Sequence, residues 1–182
     1  RLMEVFMNIK TREITVIALT AALMVVLGFF LYFFASFLLI PASKLIVMAA
    51  FLSFMITVLL IMTENKRAII LFNIVFGVIM SFISVVMGIT IILAALITDL
   101  TKILISKRLK EEYCIIIVSA TYPLYSSLLA IAATNFITGK NFFNIGGFIP
   151  LIIVSIIIFL LGIFGSISAF KIIYNKLQVF EQ

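Results

Sequence analysis

The feature that most constrains this chain is a series of long apolar runs that carry no charge. The first extends from Ile14 to Leu31, directly after the charged triplet that ends at Glu13. At about 1.5 Å of rise per residue, a helix over this run would cross a hydrocarbon core of roughly 30 Å. Backbone polar groups in a bilayer need partners within the protein, which only helices and closed barrels provide. Since no run alternates as a barrel strand does, the sequence predicts transmembrane helices.

The composition supports the same class of protein. The 182 residues are 65% hydrophobic and 11% charged, and the mean hydropathy is +1.41. A soluble domain is nearer half apolar and a quarter charged. We therefore expect an all-α integral membrane protein that leaves no room for a separate soluble domain.

Charged and polar segments divide the chain into six predicted helices. Pro41 favours the start of the second, and the small and polar residues Ser81, Ser84 and Gly88 predict a turn after a short third helix. The expected helices cover about residues 13–36, 41–62, 68–82, 86–106, 113–135 and 148–174. The expected units are an N-terminal cytoplasmic segment at 1–12, one six-helix transmembrane domain at 13–175 and a C-terminal cytoplasmic tail at 176–182. Residues 1–6 precede Met7 and are set aside as candidate non-native sequence.

The distribution of charge predicts the orientation of these helices. With the N-terminus inside the cell, the outer side would hold only Lys44 and Lys140 of the 13 lysines and arginines. Cytoplasmic loops of membrane proteins are enriched in these residues, so both termini are predicted to be cytoplasmic. The acidic residues also fall on the inner side, which leaves the outer half without a carboxylate. They are Glu4, Glu13, Glu64, Asp99, Glu111, Glu112 and Glu181.

Two sets of residues are candidates for binding. Ala18 and Ala22 form a small-xxx-small pattern on the first helix, which allows another helix to approach closely. The outer half offers polar groups that could orient a ligand in a mostly apolar pocket: Lys44, Tyr125, Ser126, Asn135, Asn141 and Asn144. Each has a plainer alternative, since Lys44 could extend to the membrane interface and the hydroxyl groups could bond neighbouring helices.

Other functional classes find little support in the sequence. There is no histidine, a single cysteine (Cys114), and no nucleotide-binding or catalytic motif. We expect no catalytic residues, no metal site and no cofactor, so an enzyme is not predicted. Asp99 is the one acid that could lie within the membrane, where it is either a local pair with Lys102 or a contact for a partner or a proton. With no carboxylate in the outer half, a small neutral or anionic organic substrate is favoured over a metal or a strongly cationic ligand.

The first helix resembles a known family of transport proteins. It opens with TREI at Thr11 and continues with ALTAAL from Ala18 to Leu23. A six-helix protein of this size with that opening resembles the S components of energy-coupling factor (ECF) transporters, which are substrate-binding subunits of ABC importers for vitamins and other micronutrients in prokaryotes. The resemblance implies that Ala18 and Ala22 dock on a transmembrane coupling (T) subunit, that two ATPase subunits supply energy, and that substrate binds from outside the cell membrane.

Two other classes remain as alternatives. One is a small autonomous secondary transporter, which would usually show coupling acids in mid-membrane helices. The other is an accessory or assembly protein of the membrane that transports nothing. Of such acids the sequence offers only Asp99, and pull-down without ATPases would support the second class.

Overall fold

The computed structural model describes residues 11–37, 43–63, 68–138 and 148–180, and within these ranges the chain is helical with no strand. Six helices follow one another: α1 (Thr11–Ala35), α2 (Ser43–Met62), α3 (Ala68–Ser81), α4 (Val85–Ser106), α5 (Glu111–Thr138) and α6 (Phe148–Phe180). The all-α membrane fold expected from the sequence is confirmed.

The helix bounds agree with the predicted ones to within a few residues, except at the end of α6. That helix continues to Phe180, so the described part of the predicted tail extends it. The predicted start of the second helix, at Pro41, lies outside the described residues. Five helices are long and apolar enough to cross a membrane, whereas α3 has 14 residues. Its length is about 21 Å, and the chain turns at Phe82–Ser84 before α4 begins.

Helix α2 lies at the centre of the bundle. It packs against α1, α3, α5 and α6, whereas within the described ranges α1 packs only against α2 and α3. The buried core is built around the largest enclosed side chains, among them Met24, Ile56, Leu59, Ile69, Phe72, Val118 and Tyr122. Large apolar side chains also cover the outer surface of the bundle, as expected where lipid replaces water.

The direction of each helix follows from a few side-chain contacts. Ser53 donates a hydrogen bond to the carbonyl of Gly162, and one turn further along both helices Thr57 bonds Ser166, so α2 and α6 are parallel. The links after α3, α4 and α5 are too short to return along a helix, so those neighbours are antiparallel. Short as it is, α3 therefore reverses the chain like the other helices. Ser43 at the start of α2 bonds the carbonyl of Ala35 at the end of α1, so these two helices are antiparallel and α1 begins at the end of the bundle where α6 ends.

That end of the bundle, which we call the basic end, holds the first residues of α1, α3 and α5 and the last of α2, α4 and α6. Five basic residues are exposed there: Arg12, Lys107, Arg108, Lys110 and Lys171. Lys44 lies at the opposite end, at the start of α2. Cys114, in the first turn of α5, also lies at the basic end, but its side chain is buried. A thiol reagent would therefore report poorly on topology at Cys114.

Candidate functional site

Helix α1 has one face turned into the bundle and another left uncovered. Ile17, Ala21 and Met24 are buried, whereas Ala18 and Ala22 are exposed. On the buried side Gly28 allows Met48 of α2 to approach, with its Cε 3.4 Å from where a Cβ would lie. The two alanines predicted to contact a partner therefore lie on a surface that no described part of this chain covers.

The same small-xxx-small spacing is used elsewhere to join two helices of this protein. Ser53 and Thr57 of α2 meet Gly162 and Ser166 of α6, with donor–acceptor distances of 2.6 Å and 2.7 Å. Close approach is strictest at Gly165, where a Cβ would lie 2.9 Å from the carbonyl carbon of Ala50. The sequence reasoning missed this interface, although both pairs of small residues have the spacing that favours it.

Lys44 is positioned by α1. Its ammonium Nζ lies 3.2 Å from the hydroxyl of Tyr32 and 4.4 Å from the centre of the same ring. Beside it, Ser43 donates to the carbonyl of Ala35 at 3.1 Å, which ties the start of α2 to the end of α1. Neither of these contacts brings a carboxylate to the ammonium group of Lys44.

Two of the other predicted ligand-binding residues, Tyr125 and Ser126, form hydrogen bonds away from Lys44. Tyr125 bonds Thr101 of α4 at 3.2 Å, which directs its hydroxyl toward the basic end. Ser126 donates to the carbonyl of Pro123, within its own helix, at 3.0 Å. Asn135 is half-buried near the end of α5, and Asn141 and Asn144 lie outside the described residues. The structure therefore brings Lys44 together with Tyr32, and Tyr125 with Thr101, as two separate groups.

A buried polar pair that the sequence did not single out joins α3 to α5. The hydroxyl of Tyr122 donates to Oδ1 of Asn73, and Nδ2 of Asn73 donates to the carbonyl of Ile69 at 2.8 Å. Both side chains are almost completely enclosed. Within the described ranges the backbones of α3 and α5 are not neighbours, so the tyrosine bridges the interior of the bundle. In the sequence, this pair is indicated by the single amide side chain, Asn73, in the mostly apolar third helix.

Two further ionisable side chains lie on α4, toward the basic end. Asp99 is buried, and the half-buried Lys102 follows one turn later. In the part of the chain that the structure describes, no three His, Cys, Asp or Glu side chains come close enough to hold a metal ion. The exposed alanines of α1 and the cation at the start of α2 are therefore two candidate contacts for another molecule. No family model, curated protein or solved structure matches this chain.

Proposed function

We propose that this protein is the substrate-binding subunit of an ECF-type importer in a prokaryotic cell membrane. The observation that carries the proposal is the exposure of Ala18 and Ala22 on a helix at the periphery of the bundle. The chain would capture a vitamin or related micronutrient from outside the cell. A transmembrane coupling subunit would dock on α1, and two ATPase subunits would supply the energy.

Small side chains on an uncovered helix face favour a helical partner for a physical reason. In lipid there is no hydrophobic force between helices, so association depends on close backbone approach and packing. Within the bundle, two helices approach each other closely at the α2–α6 interface, through Ser53, Thr57, Gly162 and Ser166. Ala18 and Ala22 are not used there, and both are small enough to admit a second protein.

The charges of the described residues support a neutral or anionic substrate. Their carboxylates belong to Glu13, Asp99, Glu111 and Glu112, all in the half of the bundle toward the basic end. Lys44 stands at the other end with a neutral partner, so it can attract a carboxylate or phosphate group. A ligand without charge would be held mainly by apolar packing and hydroxyl groups.

The proposal requires that the basic end faces the cytoplasm, as the excess of lysine and arginine there predicts. Because Cys114 is buried, we place reporters at exposed residues in a Cys114→Ala background. A membrane-impermeant maleimide should label Ser36→Cys in intact cells and Lys107→Cys only after the membrane is permeabilised. Labelling of Lys107→Cys in intact cells would reverse the orientation and with it the proposed function.

Docking through α1 is tested by enlarging its two exposed alanines. The double variant Ala18→Trp, Ala22→Trp should lose copurification with the coupling subunit and both ATPases, because bulky rings prevent close helix approach. Its fold should be retained, since neither side chain is buried within the bundle. Mass spectrometry of the purified complex from native membranes identifies the partners.

The matched control is Leu23→Trp, which enlarges an exposed residue of the same helix away from the two alanines. It should leave the complex intact. The proposal is wrong if the double alanine variant still copurifies with the same partners, or if the wild-type chain brings down no ATPase at all.

A further inference from the structure

The turn between α4 and α5 displays a dense group of positive charge. Lys107, Arg108 and Lys110 are all exposed within the four residues 107–110, which we call the basic turn. The backbone there is held in place, because the amides of Arg108 and Leu109 both bond the carbonyl of Ile105, at 2.9 Å and 3.1 Å. Its charges therefore project from a fixed position at the end of α4.

An exposed apolar surface lies directly next to this turn. Leu100, Ile103 and Leu104, on the last turns of α4, are 61%, 52% and 71% exposed. Leu109 in the turn and Tyr113 at the start of α5 are exposed as well. Apolar side chains of α4 thus lead up to three cations, with a tyrosine at the same level, where aromatic rings favour the membrane interface.

We propose that the basic turn and the end of α4 form a binding site for an anionic phospholipid of the surrounding membrane. The phosphate of the headgroup would lie against Arg108, Lys107 and Lys110, and the acyl chains along Leu100, Ile103 and Leu104. An arginine can bind phosphate with two parallel hydrogen bonds, while lysine acts as a point charge. Basic groups next to a membrane helix attract anionic lipids, each with an energy of about 1 kcal/mol.

The attraction of cations to the C-terminal end of a helix does not by itself account for the basic turn. One or two cations suffice to offset the partial negative charge at the end of a helix, and Glu111 and Glu112 already stand at the start of α5. A topology signal needs only an excess of basic residues on one side of the membrane, whereas here three exposed cations lie within four residues at the end of a lipid-facing row on α4. The combination of charge and lipid-facing surface is what a two-part molecule such as a phospholipid fits.

The test compares two variants that each remove two positive charges from the same end of the bundle. One is Arg108→Gln, Lys110→Gln in the basic turn, and the control is Arg12→Gln, Lys171→Gln. Each protein is reconstituted in vesicles of equal phosphatidylglycerol and phosphatidylcholine, extracted in mild detergent, and examined by native mass spectrometry for retained lipid. We expect wild type to retain phosphatidylglycerol preferentially, and the basic-turn variant to lose roughly thirtyfold in apparent affinity.

The control should change retention of the lipid by less than about threefold. Arg12 and Lys171 lie on two different helices, and separated charges do not replace a group of charges held in one turn. Sodium phosphate should displace the lipid no better than sodium chloride of equal ionic strength, which separates a lipid site from a site for free phosphate. The inference fails if the basic-turn variant retains phosphatidylglycerol as wild type does, or if both variants lose it equally. It also fails if the Arg108→Gln, Lys110→Gln variant keeps the lipid but no longer binds an acidic protein that the wild type retains from native membranes.

Discussion

Replacing Gly165 with alanine should destabilise the protein by about 1–3 kcal/mol, the usual effect of forcing an extra methyl group into a filled interior. The new Cβ would lie 2.9 Å from the carbonyl carbon and 3.0 Å from the Cα of Ala50. These are backbone atoms that cannot turn aside, so α2 and α6 would have to separate. That separation would lengthen the hydrogen bonds from Ser53 to Gly162 and between Thr57 and Ser166. Unfolding in detergent micelles titrated with dodecyl sulfate, followed by helical circular dichroism, measures the change.

The chain supplies a matched control in Gly28. A Cβ there would meet Cε of Met48 at 3.4 Å, and this atom is the flexible end of a side chain. Gly28→Ala should therefore leave stability unchanged or raise it by up to about 1 kcal/mol, the intrinsic advantage of alanine in a helix. An equal loss of stability in both variants would show that close approach of α2 and α6 is not what Gly165 provides.

Removal of one hydroxyl group from the centre of the bundle should have the next largest effect. Tyr122→Phe leaves Oδ1 of Asn73 without its donor in an interior that excludes water, and an unsatisfied buried acceptor costs about 1–3 kcal/mol. The size of the side chain barely changes, so any loss reflects the hydrogen bond and not a cavity. The same titration in detergent reports the free energy of unfolding.

A double-mutant cycle separates this bond from other effects of the substitutions. Asn73→Leu combined with Tyr122→Phe removes both partners, and the double variant should be closer to wild type than the sum of the single changes predicts. Simple additivity would contradict the proposed coupling between α3 and α5. Since Tyr125 bonds Thr101 at the surface between α4 and α5, Tyr125→Phe serves as a half-buried comparison and should have a smaller effect.

The sequence was sufficient to place the helices because the signal for each is local. Long apolar runs between charged or polar links identify membrane helices, and the short α3 followed from the small and polar residues near Ser84. The alternating direction of successive helices followed from the same charged or polar links. None of these inferences required knowledge of which helices touch.

Contacts between helices could not be predicted in the same way. Small residues four apart occur at Ala18 and Ala22, at Ser53 and Thr57, and at Gly162 and Ser166. Nothing local distinguishes a pair that packs inside the chain from one that stays exposed. The partner of a polar group is equally non-local, since Tyr122 reaches Asn73 across the bundle. Lys44 likewise finds Tyr32 on the neighbouring helix.

The parallel pairing of α2 with α6 has a consequence for how this protein is made. The second helix is synthesised before α6, but the carbonyl that accepts from Ser53 and the hydroxyl that bonds Thr57 belong to α6, four helices later in the chain. Until then the side of α2 that will receive α6 faces lipid or transient neighbours. The central helix therefore reaches its final environment only after α6 has also entered the membrane, and a chain that stops after α5 would leave that side of α2 without its partner.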